Sequence, residues 1–375
     1  MKKTLVLVIL TLGVVAEAQT YTESILYNFA TLTSPGSLVR DSAGNLYGAA
    51  YYGGGYETCS YGCGTLFKLS SSGRLTTLYA FTGGSDGSNP CCLAIDTSGN
   101  LYGTAENGGL GYGTVFTFST TKKFSTLHEF GRTPTDGLYP AGPLTIGSDG
   151  NLYGMTLLGG TGSGCGPAPG CGTIVEVTPK GKESVVYNFT LDSAGPHYTG
   201  NILRDSKGNF YGEGYCSLFE VSSKGVWSAL SDSLCDDIYD IVGPIARSAT
   251  GNFYGAYQDS GGANDPNGLW EVSGISHALS FYDELDPASA SGPLEFSGGN
   301  LYGTVYQGGL YGNGYVWEFV PSTLVETNVY NFGGYSTDGS NPEGGVIPDS
   351  KGNFYGTTPG GGTYGYGTLF KLTKN

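Results

Sequence analysis

The sequence predicts an all-β, seven-bladed β-propeller with four-stranded antiparallel blades, the last blade closed by an N-terminal strand. Three observations carry this. First, the unit Gly-Asn-Leu/Phe-Tyr-Gly occurs at 44–48, 99–103, 150–154, 208–212, 251–255, 299–303 and 352–356. Its spacings of 55, 51, 58, 43, 48 and 53 residues fall in the range of propeller or solenoid repeats. Second, the 66 glycines fall at fixed offsets beside Leu, Ile, Val, Phe and Tyr, so they mark turns between short strands rather than disorder. Third, the two chain ends hold complementary parts of one repeat.

Residues 1–18 read as a signal peptide: basic Lys2-Lys3, an apolar run from Thr4 to Val15, and the small-residue site Ala16-Glu17-Ala18. Residues 19–375 then form a single propeller, placed by its leader in a secreted, periplasmic or extracellular setting. Losing Lys2, Lys3 and Glu17 changes 17 basic and 32 acidic residues to 15 and 31, and the net charge from −15 to −16. Such a chain repels phosphate backbones and anionic lipid, which excludes nucleic acid and membrane insertion as partners.

One repeat shows the blade plan. Leu93-Ala94-Ile95 is an inner strand and Asp96 to Asn100 a tight turn. Leu101 to Thr104 is a second strand, Glu106 to Tyr112 a Gly-rich loop, Thr114 to Phe118 a third strand and Phe124 to Phe130 a fourth. Alternation of β-formers bounded by turn residues supports each strand, and four antiparallel strands repeated radially make a propeller. The Asp that opens the D-x-x-G-N turns suits an Asx-turn. The Tyr of each unit is expected to pack blade against blade. The Gly after it is expected to mark close backbone approach where inner strands crowd a central channel.

The ends set the blade count. The seventh repeat runs through three strands, 345–347, 353–357 and 368–372, and then stops. Ile25-Leu26-Tyr27-Asn28-Phe29 matches fourth strands such as Val186-Tyr187-Asn188-Phe189, so residues 25–29 are expected to pair with 368–372. Closure of this kind leaves no long exposed edge.

Eight cysteines in an exported chain indicate disulfides. The expected pairs are Cys59–Cys63, Cys165–Cys171 and Cys216–Cys235, with Cys91-Cys92 a vicinal pair or free thiols. A rival scheme joins Cys59 and Cys63 to Cys91 and Cys92. Zinc needs ligand pairs converging on one point, and the two Cys loops lie two repeats apart. No metal and no cofactor are expected.

Loops between second and third strands, and between blades, emerge on one face, where variable loops concentrate binding. Three residues beyond each Tyr-Gly this face begins, giving the candidate ligand-binding residues Tyr51, Glu106, Tyr215, Gln258 and Tyr306. Aromatic rings with a carboxylate and an amide suit a sugar. Blade 4 lacks its Gly-rich loop, so a notch is expected with Glu213 and Tyr215 exposed at its base, near Asp232, Asp236, Asp237 and Asp240. Asp86-Gly-Ser-Asn-Pro90, Asp136-Gly-Leu-Tyr-Pro140 and Asp338-Gly-Ser-Asn-Pro342 read as structural turns, since one Asp supplies too few ligands for calcium.

The combination of G-N-L/F-Y-G-T, the loop ending G-T-V/L-F-K-L, and L-Y-N-F followed by D-G-x-x-P resembles the GloVer-type extracellular tandem repeat of exported bacterial proteins. The resemblance covers residues 19–375. It implies a secreted propeller, in many members with a C-terminal anchor; Lys371 to Asn375 reads as none. It implies no catalytic residues.

Catalytic signatures are sparse. Neither a G-x-S-x-G elbow nor an H-E-x-x-H is present, and there are three histidines. His128 replaces the Tyr of a fourth-strand motif, His277 lies in a tight turn, and His197 is on the loop face. The leading functional reading is a binding or scaffolding module for a glycan or a cell-surface protein. The alternatives are a carbohydrate-active or lyase-like enzyme using Glu106, Glu213 or His197 as acid or base, and a purely structural surface protein.

Overall fold

The computed structural model describes residues 21–55, 58–165, 169–190, 200–214, 217–231, 239–259, 267–285 and 290–375. Short alternating strands between glycine turns produce seven four-stranded antiparallel sheets and no helix among these residues. Blade 1 holds Pro35–Arg40, Leu46–Ala50, Thr65–Leu69 and Leu75–Ala80; blade 2 holds Ser88–Ile95, Leu101–Asn107, Thr114–Phe118 and Phe124–Glu129. Blade 3 holds Gly137–Ile146, Leu152–Gly159, Thr173–Val177 and Glu183–Asn188; blade 4 holds Ile202–Arg204, Phe210–Glu213, Leu218–Val221 and Trp227–Ser231. Blade 5 holds Tyr239–Arg247, Phe253–Asp259, Asn267–Val272 and Leu279–Leu285; blade 6 holds Ala290–Ser297, Asn300–Val305, Tyr315–Val320 and Val325–Asn331.

Blade 7 closes the ring. Its strands Val346–Pro348, Phe354–Thr358 and Thr368–Lys374 are completed by Tyr21–Asn28, with Ile25 opposite Phe370 and Asn28 opposite Thr368. The pairing expected for residues 25–29 is therefore present, and it begins four residues earlier, where Tyr21 meets Lys374.

The apolar core lies in seven seams between neighbouring blades. Leu46, Ala50 and Phe67 pack with Leu369 and Phe29 at one seam, and Ala49, Leu66 and Phe81 pack with Leu93, Leu101 and Phe116 at the next. Alternation explains the division: successive residues of one second strand point to opposite blades.

The glycine after each repeated tyrosine is crowded, as expected, but the inner strand is only part of the cause. In six blades an aromatic of the blade's own third strand comes closest, while in blade 3 the inner-strand Leu144 does. A Cβ on Gly48 would lie 2.3 Å from Cζ of Phe67, and one on Gly255 would lie 2.2 Å from Cζ2 of Trp270. Gly212 and Gly356 make the same room for Phe219 and Phe370. Each ring thus lies flat across the second strand and is shielded there.

The repeated Asn and Tyr share one carboxylate. In blade 1, Asp41 accepts hydrogen bonds from the Asn45 backbone at 2.8 Å, the Asn45 side chain at 2.7 Å and the Tyr47 hydroxyl at 3.0 Å. Burial works against the charge on Asp41, but these bonds outweigh it and hold the carboxyl below its ordinary value. Asp96, Asp205 and Asp349 do the same in blades 2, 4 and 7. Blades 3, 5 and 6 carry Gly147, Ser248 and Ser297 at that turn position. There the third strand supplies the acceptor: Glu176, Glu271 and Glu318 take the bonds from Asn151 and Tyr153, Asn252 and Tyr254, and Asn300 and Tyr302.

Candidate functional site

Second-to-third-strand loops and blade-connecting loops share one face, and hydrogen bonds between them fix its surface. In each D-G-x-x-P turn the residue before proline has a positive φ: Asn89 at 57°, Tyr139 at 58° and Asn341 at 61°. That bend aims its N–H back at the preceding blade's loop, Asn89 to the Cys63 carbonyl, Tyr139 to that of Tyr112, and Asn341 to that of Asn313. The side chains of Asn89 and Asn341 also donate to the carbonyls of Tyr51 and Tyr306. Two of the aspartates brace their own turns: Asp86 accepts from the Thr82 backbone at 2.8 Å and the Tyr79 hydroxyl at 2.9 Å, and Asp338 from Gly333 and Tyr330.

Of the expected ligand-binding residues, two are brought together. The Tyr51 hydroxyl donates to Glu106 Oε2 at 2.7 Å across the seam between blades 1 and 2. Burial first, then the hydrogen bond and charge of Glu106, push the Tyr51 hydroxyl pKa upward, so the phenol stays protonated. Tyr51 stands edge-on to Tyr52, ring centroids 4.9 Å apart, and Tyr52 likewise to Tyr61. Tyr306 is half-buried, held through its carbonyl. The backbone of Gln258 pairs with Asp240 in blade 5, and its side chain lies outside the description. Tyr215, His197, Cys216, Cys235, Asp232, Asp236 and Asp237 lie outside the described residues, as does the signal segment.

Glu213 is a correction. It was expected at the base of an exposed notch, yet it is 0% exposed, and neither carboxylate oxygen meets a hydrogen-bond partner among the described residues. Strand parity is the reason. Glu213 follows Gly212, as Ala49, Thr104, Met155, Ala256, Thr304 and Thr357 follow their glycines, and this position points into the seam with the next blade. Thr104 donates there to the Gly142 carbonyl of blade 3, and Thr357 to the Gly36 carbonyl of blade 1. Burial alone pushes the Glu213 carboxyl well above the usual range.

Disulfides join Cys59 to Cys63, Cys165 to Cys171, and Cys91 to its neighbour Cys92. The rival cross-loop scheme is thereby set aside. Cys91-Cys92 sits at the inner-strand bulge of blade 2, where the other blades have glycine, such as Gly36 and Gly142.

The loop tips escaped the sequence reading. In four loops a β-turn closes on a glycine of positive φ: Gly62, Gly111, Gly312 and Gly365. The residue before each projects into solvent: Tyr61 at 65% exposure, Leu110 at 53%, Tyr311 at 51% and Tyr364 at 59%. These tips belong to blades 1, 2, 6 and 7, which are consecutive around the ring. Tyr335, Tyr366, Tyr112, Leu310 and Leu32 add exposed rings and aliphatics to the same arc. Nine of the thirteen large hydrophobics exposed among the described residues are on it. The signal was available: each tip lies three residues before the glycine that opens the third strand.

A family model described as the Gloeobacter/Verrucomicrobia repeat matches residues 12–215 and again 213–375. No curated protein matches the sequence. Among solved structures, the chain is similar to the extracellular domain of BT4673 from B. thetaiotaomicron, described as a hybrid two component system. The TM-score is 0.61 and the identity 13%, over 94% of this chain and 39% of that one. The chain thus spans about two fifths of the length of that structure. It is also similar to an oligogalacturonate lyase in complex with manganese, with a TM-score of 0.59 and 10% identity, over 94% of this chain and 93% of that one. At these identities the likeness is one of fold.

Proposed function

The chain belongs to the Gloeobacter/Verrucomicrobia repeat family, and on that footing we propose that it is an exported glycan-binding module whose ligand lies along the loop face of blades 6, 7, 1 and 2. The observation that carries this reading is the row of exposed tips, three of them tyrosine, at equivalent positions in four consecutive blades. Aromatic faces spaced along an arc suit an extended chain of sugar rings, each stacking on one platform while hydroxyls meet nearby polar groups. The Tyr51–Glu106 pair, at the blade 1–2 seam, supplies a donor and an acceptor on the same face. The net charge of −15 favours a neutral glycan over an acidic one.

A binding role fits these residues better than catalysis. Of the candidate acids or bases, Glu213 is enclosed in a seam, the Glu106 carboxylate is engaged by the Tyr51 hydroxyl, and His197 lies outside the described residues. Glycoside cleavage by the common routes takes two carboxylates placed either side of the bond.

A glycan array followed by calorimetry tests the reading. The double variant Tyr61→Ala/Tyr364→Ala is expected to lose at least about tenfold in affinity for a neutral polysaccharide, since stacking on an aromatic is worth about 1 kcal/mol or more per ring. Ile275→Ala, on the opposite face, is expected to bind as the parent does. No neutral glycan bound, or equal binding by the double variant, overturns it.

A further inference from the structure

The seam between blades 2 and 3 holds a cluster that the loop face does not use. In two of the three D-G-x-x-P turns the aspartate is met by an outer-strand tyrosine, Tyr79 on Asp86 and Tyr330 on Asp338. In the third the tyrosine is replaced by His128, whose Nε2 lies 3.0 Å from Asp136 Oδ2. Glu183, the first residue of the next outer strand, completes the group. One ligand atom from each of the three lies within 4.8 Å of the other two. His128 is 8% exposed and Asp136 3%, while Glu183 is half-buried. Its Oε1 is enclosed and meets no hydrogen-bond partner among the described residues.

Two carboxylates held this close repel each other. The arrangement therefore places negative charge in a seam with an imidazole nitrogen beside it, and one oxygen without a partner.

From this geometry we propose that His128, Asp136 and Glu183 bind one divalent transition-metal ion, zinc or a close neighbour of it. One imidazole nitrogen and two carboxylate oxygens form a donor set that zinc, cobalt and nickel accept. Calcium and magnesium prefer oxygen donors alone. The partly open Glu183 side gives the ion an entry path and room for water as a further ligand. The site joins the outer strands of two blades and the turn between them, so the ion acts as a clasp across the seam. The seam between blades 6 and 7 is an internal control: Tyr330, Asp338 and Glu23 repeat the same positions with a phenol in place of the imidazole.

The test uses the full-length protein, dialysed against chelator and then titrated with zinc by calorimetry and with cobalt by visible absorption. The parent is expected to take up one ion per chain, to gain thermal stability with zinc, and to show ligand-field bands with cobalt. His128→Tyr installs the residue that two sister seams already hold beside their aspartates, so it keeps the fold while removing the nitrogen ligand. Glu183→Gln removes a ligand charge with little change of shape. Each variant is expected to weaken binding at least about tenfold and to abolish the cobalt bands. No uptake by the parent overturns the proposal. So does uptake with parent-like affinity by either variant.

Discussion

Replacing Glu213 with methionine is expected to stabilise the protein, by an amount that grows with pH. The side chain is 0% exposed, and its oxygens have no partner among the described residues. Even uncharged, a buried polar group without a hydrogen bond costs about 1–3 kcal/mol. Met155 occupies the equivalent place in blade 3 and is buried there, so a side chain of that length fits such a seam. The pH dependence follows from the raised pKa. The folded chain holds a proton that the unfolded chain, with an ordinary value of 4.5, releases earlier. Stability conferred on the protonated form is therefore complete below that value and lost as pH rises toward the folded pKa, at up to about 1.4 kcal/mol per pH unit. Glu213→Met removes this slope, while Glu213→Gln removes the slope but keeps the unpaired polar group. Denaturant unfolding of all three proteins, followed by tryptophan fluorescence from about pH 4 to about pH 8, gives the two contributions separately. A Glu213→Met protein that parallels the parent across that range, or is less stable than it throughout, refutes the reasoning.

Two further outcomes follow from the ring's construction. Glu271→Lys in blade 5 installs the residue type that blades 1 and 7 carry at that position, and removes the acceptor for Asn252 and Tyr254. It is expected to cost about 1–3 kcal/mol; adding Ser248→Asp, the turn acceptor of those blades, should recover at least half in equilibrium unfolding, and no recovery counts against a shared acceptor. At the closing seam, burial and then the charge of Asp338 raise Glu23 to about 8, so its contribution to stability is lost as pH rises from about 4.5 toward 8; Glu23→Gln should flatten that part of the profile, and deleting residues 19–30 should lower the unfolding midpoint sharply by exposing the edge of Thr368–Lys374.

The fold was legible because a repeated pattern tests itself. Seven copies of one unit fix strand order without any long-range argument, and the unpaired strand at each end leaves one way to close the ring. The seam chemistry was harder to read. Glu213 looked exposed because a loop is short beside it, but burial on a strand is decided by which side of the sheet a residue takes. Its counterparts Ala49, Thr104, Met155, Ala256, Thr304 and Thr357 are small, apolar or hydroxyl-bearing, and that comparison points inward. The glycine after each tyrosine was expected to serve the axis, whereas in six of the seven blades it makes space for a ring one strand further out. His128 stood out as a substituted tyrosine. Its two carboxylate neighbours come from eight and 55 residues along the chain, and only the meeting of two blades puts them beside it. The tips at Tyr61, Leu110, Tyr311 and Tyr364 follow a fixed offset, but their projection depends on turn geometry that composition does not disclose.

The two ways of holding the Asn-Tyr pair bear on how such a ring changes over time. A blade that lost its turn aspartate outright would pass through a form in which two buried donors have no acceptor, and selection would remove it. Blade 3 shows the way around that barrier. The Tyr153 hydroxyl donates to Asp149, later in the turn, and to Glu176 on the third strand, so both solutions coexist in one blade. Blade 4 likewise carries Glu220 on its third strand while Asp205 still accepts from Tyr211. In blade 3 the second acceptor covers the tyrosine, while the Asn151 side chain donates to Glu176, so the tyrosine can pass from one carboxylate to the other before the asparagine does. A ring of repeats can thus diversify blade by blade, each copy arriving at its own arrangement while its neighbours keep the assembly closed.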